Sequence, residues 1–236
     1  MTISALILAG GLGTRLREVV PDLPKPLAPV AGRPFLDWLL DWLESGGVAD
    51  VVVSAGYRSQ AMIAWAAART STGRIPVRVV VEPEPLGTGG AVRFAAAGFA
   101  GSRLLVLNGD SFVAADLPTF LRFDQACGGA FSLIAPEVDD VSRYGALTLD
   151  DAHRIQAFQE KGGTGPGVIN GGIYALDPEL LARLPLGPCS LERDGLAQWL
   201  GLGGYAHAGA FRFIDIGTPE SFQAAQQFFG VGASDG

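Results

Sequence analysis

The sequence is short of the residues on which most metal centres and nucleophilic enzymes depend: its 236 residues include two cysteines and two histidines. Cys127 and Cys189 make neither a disulfide framework nor a metal-ligand spacing, and reduced thiols are expected. His153 and His207 lie outside every motif and stand in no arrangement with a nucleophile. Basic charge is scarce as well. With 17 Lys and Arg against 24 Asp and Glu, the net charge of −7 argues against a nucleic-acid-binding face. No apolar run reaches the roughly 18 residues of a membrane span. The N-terminus shows no basic leader or cleavage site, so a cytoplasmic location is expected. Hydrophobic residues make up 48% and charged residues 17%, the balance of a compact soluble chain and not a disordered one. Linkers, repeats and low-complexity stretches are also missing. One domain over 1–230 is expected, with 231–236 as a tail.

Glycine, by contrast, is plentiful and concentrated. The apolar run Ile3–Leu8 reads as a buried strand, and Leu8-Ala9-Gly10-Gly11-Leu12-Gly13-Thr14-Arg15 follows, opening towards a short helix. The glycines remove Cβ where backbone must turn tightly and lie against a ligand. Converging N–H groups in such a turn form an anion-binding nest. Thr14 adds a hydroxyl donor, and Arg15 a permanent forked charge suited to phosphate oxygens. Lys25 stands between Pro24 and Pro26, which limit where its ammonium can go. The spacing is not G-x-G-x-x-G, and the G-K-[ST] of a P-loop is missing. A structural turn or a dinucleotide-binding turn would account for the glycines alone. Together with Thr14, Arg15 and the Pro-Lys-Pro clamp, they suit a nucleoside triphosphate.

Strand-like runs then alternate with helical patterns. Residues 33–45 carry Phe35, Leu36, Leu39, Leu40, Trp42 and Leu43 at helical spacing, and Gly46-Gly47 stops them. Strands are expected over 50–55, 77–81 and 103–107, with helices over 57–69 and 89–99 between them. This order predicts a largely parallel sheet with helices on both faces. Further on, 129–135 reads as a strand, 146–149 with 155–158 as a hairpin, and 168–175 as another strand. A short helix over 178–184, a longer one over 191–200, a strand over 211–214 and a closing helix over 219–229 complete the chain. Two carboxylates end apolar runs: Asp110 after Leu104 to Asn108, and Asp215 after Phe213-Ile214. Strand ends are where ligands sit in open α/β sheets, although turns and caps also place Asp there.

Residues 8–34, LAGGLGTRLREVVPDLPKPLAPVAGRP, resemble the signature of the sugar-1-phosphate nucleotidylyltransferases. The resemblance runs along nearly the whole chain and is nearest to the D-glycero-α-D-manno-heptose 1-phosphate guanylyltransferases, then to the mannose-1-phosphate guanylyltransferases. It implies a Rossmann-like, GT-A-like α/β fold with a smaller β-rich sugar-binding portion. Residues 1–128 would mainly handle the nucleotide, and 129–230 the sugar phosphate. It assigns Leu8, Ala9, Gly10, Gly11, Gly13, Thr14, Arg15, Lys25, Glu82, Gly87, Thr88 and Asp110 to the nucleotide. Asp110 and Asp215 would together hold Mg²⁺, whose preference is for hard carboxylate and phosphate oxygens. Asn108, Gly145, Glu160, Lys161, Asn170, Gly171 and Gly172 would meet the sugar 1-phosphate, with Lys161 on its phosphate. Arg15, Lys25, Asp110, Lys161 and Asp215 are the expected catalytic set.

Glu82 bears on the base. Uridylyl- and thymidylyltransferase relatives commonly carry glutamine at the corresponding position. A carboxylate only accepts hydrogen bonds, and guanine offers adjacent N1–H and N2–H donors. Glu82 therefore points towards GTP, with Glu84 as the competing candidate. The expected partners are a nucleoside triphosphate and a sugar 1-phosphate, with no nucleic acid or membrane; any oligomer is not readable. A mannose-1-phosphate guanylyltransferase, a uridylyl- or thymidylyltransferase and a catalytically silent regulatory paralogue remain alternatives. A nicotinamide-dependent oxidoreductase does not fit, since Ser54-Ala55-Gly56 stands where an acidic residue would be needed.

Overall fold

The structure, a computed structural model, describes residues 3–230 apart from 12, 14, 17, 18, 73, 100, 160 and 161. Thr14, Glu160, Lys161 and the tail 231–236 therefore lie outside the described residues. Ile3–Leu8 forms β1 in the middle of the sheet. A short hairpin of β2 (Pro29–Val30) and β3 (Arg33–Pro34) leads into α1 (Phe35–Ser45). The apolar stripe of α1 is buried throughout, and β4 (Val48–Ala55) then returns parallel to β1. α2 (Ser59–Thr70) connects β4 to β5 (Val77–Val81), which lies parallel on its far side. After α3 (Gly87–Ala95) the chain crosses over, so that β6 (Leu104–Asn108) pairs with the opposite edge of β1. The order β6-β1-β4-β5 thus reverses direction at β1, and a crevice opens beyond the carboxyl ends of β1 and β6.

The second half extends the same sheet. β7 (Ser111–Val113) and α4 (Leu117–Cys127) precede β8 (Phe131–Val138), and β9 (Leu147–Leu149) forms a hairpin with β10 (Ile155–Phe158). β11 (Gly167–Val168) and β12 (Ile173–Leu176) run antiparallel to β8, and β12 also pairs antiparallel with β6. β13 (Gly204–Gly209) lies parallel to β8, which completes eight strands. β14 (Phe213–Asp215) pairs with β7 before α5 (Pro219–Gly230) closes the chain. One sheet face packs against α1, α2, α4 and α5; the other packs against α3 and the turns of 178–202. The mainly parallel sheet covered on both faces agrees with the expectation. Among the described residues, no helix is long and apolar enough to cross a membrane.

Two elements carry weak sequence signals. α4 starts at Asp116, whose carboxylate accepts the Thr119 N–H at 2.9 Å, and it buries only Leu117, Phe120 and Asp124, a narrow stripe. β13 reads Gly-Tyr-Ala-His-Ala-Gly, poor strand formers apart from Tyr205, and it extends because six residues pair with β8. The long helix expected over 191–200 is instead a π-type turn, Leu191–Leu196, followed by a 3₁₀ turn at Leu200–Leu202. Gly195 permits this, since a Cβ there would meet the Trp199 ring at 3.0 Å.

α1 and α2 are tied by Arg69, whose side chain is 6% exposed and donates to Asp37 at 3.0 Å and Asp41 at 2.9 Å. Burial opposes the Asp41 charge, but the Arg33 and Arg69 donors outweigh it and hold the carboxyl below its usual range. Arg69→Ala removes the buried guanidinium between Asp37 and Asp41, which keep Trp65 and the Arg33 and Arg74 charges respectively, and should cost about 2 kcal/mol in urea unfolding. A loss within about 0.5 kcal/mol would show that water replaces the guanidinium.

Candidate active site

Ala9, Gly10, Gly11, Gly13, Lys25 and Asp110 line one open cavity of about 370 Å³ in the crevice. Leu8, Glu82, Gly87, Thr88 and Asn108 form its walls. The loop is anchored where it leaves the sheet: Ala9 N–H donates to Ser54 O at 2.8 Å, and Gly109 N–H to Leu8 O at 2.9 Å. Among the described residues, nothing accepts from the N–H groups of Gly10, Gly11 or Gly13, which suits a nest for anions. No helix follows within the described residues of 9–24; a turn closed by Leu16 N–H to Gly13 O at 3.0 Å stands there. Arg15 is exposed on this turn.

Lys25 opens a 3₁₀ turn (Lys25–Leu27), and its ammonium meets Asp110 Oδ2 at 2.6 Å. Its side chain is 14% exposed and that of Asp110 44%, so the carboxylate is the more open member. Asp215 lies close by. β14 places it opposite Ser111, and Ile216 N–H donates to Asp110 O at 2.9 Å. A Cβ at Gly217 would lie 2.7 Å from Asp215 Oδ1 and 3.5 Å from Lys25 Nζ, so the Asp215–Gly217 turn abuts the ammonium.

Asp215 is heavily supported. Its Oδ1 accepts from Gly217 N–H at 2.7 Å and Ser221 Oγ at 3.0 Å. Its Oδ2 accepts from Tyr144 OH at 2.7 Å and the Arg143 guanidinium at 3.3 Å. Helix capping falls to Thr218, whose Oγ1 accepts the Ser221 N–H at 3.2 Å. Among the described residues, no group of three or more acidic, Cys or His side chains gathers. Two carboxylates on neighbouring chain segments, one of them half open, nonetheless fit a divalent cation that completes its shell with phosphate oxygens. For Asp215 to join that shell, the long Arg143 contact must yield.

Glu82 follows β5, with its N–H on Ala55 O at 2.8 Å. Its Oε1 accepts from Ser54 Oγ at 2.9 Å and its Oε2 from Leu86 N–H at 3.3 Å. The residue is 9% exposed, and a Cβ at Gly10 would lie 2.2 Å from Oε1. Gly10 is thus a close-approach glycine that makes room for this carboxylate.

Gly87 and Thr88 border the cavity with their polar groups partly engaged. A Cβ at Gly87 would lie 2.5 Å from Cys189 O, and Gly89 N–H donates to that carbonyl at 2.9 Å. Thr88 Oγ1 donates to Glu192 at 2.7 Å and accepts from Leu191 N–H at 2.8 Å. Asn170 Nδ2 donates to Tyr174 OH at 3.0 Å, and Tyr174 OH reaches Glu192 at 3.4 Å. Gly171 N–H donates to Ile134 O at 3.0 Å, and Gly172 O accepts from Asn108 N–H at 2.8 Å. Gly145 packs against Gln159, where a Cβ would meet the carbonyl at 2.7 Å. Arg15, Gly145, Asn170, Gly171, Gly172 and Asp215 do not line the cavity itself. Ser54, Tyr144, Tyr174 and Glu192 complete these contacts and carry no sequence signal of their own, apart from the place of Tyr144 in Arg143-Tyr144-Gly145.

Burial opposes the Asp215 charge, yet donation from Tyr144, Gly217 and Ser221 outweighs it and keeps the carboxyl below its ordinary value. Burial and the Asp215 charge push the Tyr144 phenol well upward, so it stays a donor. A lowered carboxyl stabilises the fold above its unfolded value, and that contribution is lost as pH falls through the folded value. Tyr144→Phe should therefore cost about 1–2 kcal/mol near pH 7 and less towards about pH 3. Urea unfolding of both forms checks this. An equal loss at both pH values would assign Tyr144 to packing against Phe213, whose ring lies 5.3 Å away.

The chain is similar to several known proteins. The D-glycero-alpha-D-manno-heptose 1-phosphate guanylyltransferase of Aneurinibacillus thermoaerophilus is 34% identical over 227 residues, covering 95% of this chain and 97% of the relative. The mannose-1-phosphate guanylyltransferase of Mycobacterium tuberculosis is 34% identical over 93% of this chain but 62% of its own length. HddC from Yersinia pseudotuberculosis, solved in complex with GMP-PN, superposes with a TM-score of 0.86 at 35% identity, covering 97% of this chain and all of its own. The nucleotidyl transferase family matches residues 4–230, and the chain belongs to that family.

Proposed function

We propose that the protein transfers a guanylyl group from GTP to D-glycero-α-D-manno-heptose 1-phosphate, releasing pyrophosphate. The observation that carries this reading is the single cavity shared by the Gly10–Gly13 loop, Lys25, Asp110 and Glu82 at the strand ends. The heptose relatives in the comparison support the sugar, because they match over nearly their whole length. Mannose 1-phosphate is the second reading, supported by relatives of which this chain spans 62–63%.

Triphosphate oxygens would lie on the free N–H groups of the loop, with Arg15, Thr14 and Lys25 adding donors and charge. Lys161, with Glu160, Gly145 and Asn170 to Gly172, would hold the sugar 1-phosphate. A phosphate oxygen of that sugar attacks the α-phosphorus in line, and pyrophosphate leaves. The attacking oxygen is already ionised at neutral pH, so no side chain need act as a base. The protein's work is positioning and charge neutralisation. A divalent cation, Mg²⁺ in this proposal, would be held by Asp110 and Asp215 and supplies charge neutralisation at the phosphates.

Asp110→Asn and Asp215→Asn should each lower turnover by about a hundredfold or more while the fold persists, as circular dichroism would report. Near-normal turnover of the Asp215 variant would remove it from the metal site.

Base choice follows from Glu82. Uracil and thymine offer one donor flanked by two carbonyl oxygens that would face the carboxylate. Adenine offers only its exocyclic amine beside an acceptor. GTP should exceed UTP, dTTP and ATP in kcat/KM by roughly a hundredfold or more, and Glu82→Gln should erode that preference. A winning UTP or dTTP would defeat the guanylyl assignment and leave nucleotidyl transfer standing.

A further inference from the structure

Behind the cavity wall stands a polar side chain with no part in the proposed reaction. Ser54, in β4, is fully buried, and its carbonyl is already engaged by the Ala9 N–H at 2.8 Å. Its hydroxyl has a charged partner: Oγ lies 2.9 Å from Glu82 Oε1. The other oxygen of that carboxylate receives the Leu86 N–H at 3.3 Å. Each oxygen of Glu82 thus has one donor from within the protein and keeps further acceptor capacity. The missing side chain of Gly10 leaves the space that Oε1 occupies, 2.2 Å from where its Cβ would be.

We propose that Ser54 is a positioning residue for base selection: with Leu86 N–H it fixes the rotation of the Glu82 carboxylate, so that both oxygens present acceptors to the two adjacent N–H donors of guanine. The inference rests on the guanine reading of Glu82 and goes one step beyond it. A carboxylate at the end of a flexible side chain rotates freely unless donors hold it, and a two-point contact requires both oxygens in one plane with the base. A buried hydroxyl donor loses little entropy in holding it, since β4 already fixes its backbone. Without Ser54, one oxygen is released and guanine keeps a single well-aligned contact.

The test compares GTP with ITP, whose base retains N1–H and lacks the 2-amino group. Pyrophosphate release is measured with D-glycero-α-D-manno-heptose 1-phosphate for wild type and Ser54→Ala. Wild type should prefer GTP by about tenfold or more in kcat/KM, and Ser54→Ala should reduce that ratio roughly three- to tenfold. Both nucleotides are assayed on one preparation, so loss of folded enzyme cancels from the ratio. A role in stability alone would lower both rates and leave the ratio unchanged. Should Ser54→Ala yield no soluble protein, Ser54→Cys decides the matter, because a thiol of similar size is a much weaker donor and should lower the same ratio. An undiminished ratio in the variant assayed, with wild type still preferring GTP, overturns the positioning role and leaves the guanine reading intact. A wild-type ratio near one overturns the guanine reading, and the role of Ser54 falls with it.

Discussion

The site depends on β1 being gripped from both sides at the point where it ends. β4 takes the Ala9 N–H on Ser54 O, and β6 returns the Gly109 N–H to Leu8 O. The loop that follows therefore leaves a rigid anchor, although among the described residues nothing accepts from the N–H groups of Gly10, Gly11 and Gly13. Because the strand order reverses at β1, the ends of β4, β5 and β6 bring Ser54, Glu82 and Asp110 around that same exit. A phosphate-binding turn needs a fixed origin more than it needs internal hydrogen bonds. Here the sheet supplies it.

Charge is the second constraint. A chain with net charge −7 offers no long-range attraction to a polyanionic substrate, so neutralisation has to be local. Lys25 and Asp110 cancel one another at 2.6 Å, and the Asp215 turn lies against the same ammonium. In the proposed reaction, two carboxylates near a triphosphate would repel it unless a cation intervened, and they are also the groups that would hold one. The residues least favourable to the substrate alone are those best suited to it with a divalent cation. The four donors around Asp215 serve the same end, keeping that carboxyl ionised although it is mostly buried.

Much of this is legible in the sequence, for a physical reason. Buried parallel strands read as continuous apolar runs, so Ile3–Leu8 and Leu104–Asn108 stand out, as do the glycine loop after the first and Asp110 after the second. What stays hidden depends on tertiary partners. β13 is a strand only because β8 pairs with it. Gly87 is expected at the nucleotide, yet its missing side chain makes room for the Cys189 carbonyl, 2.5 Å from where its Cβ would be. Tyr144 reaches Asp215 across 71 residues of chain, and Thr88 reaches Glu192 across 104, separations that leave no local pattern.

The last of these contacts binds the two sides of the crevice into one body. Thr88 at the start of α3 holds Glu192, Glu192 approaches Tyr174 in β12, and Tyr174 receives the Asn170 amide at the break between β11 and β12. Tyr174 is completely buried, and burial together with the nearby Glu192 charge drives its phenol well above the ordinary value. It therefore remains neutral and can accept from Asn170 while donating to Glu192; phenylalanine would fill the volume but remove both of these contacts. A polar chain that runs through a fully buried phenol resists movement, because displacing Tyr174 breaks hydrogen bonds in a low dielectric. The wall beside Thr88 and the strand break at Asn170 are thereby linked through one chain of contacts. In the proposed reaction such a link would favour in-line transfer between two separately bound phosphates, since small displacements of reacting groups cost rate steeply.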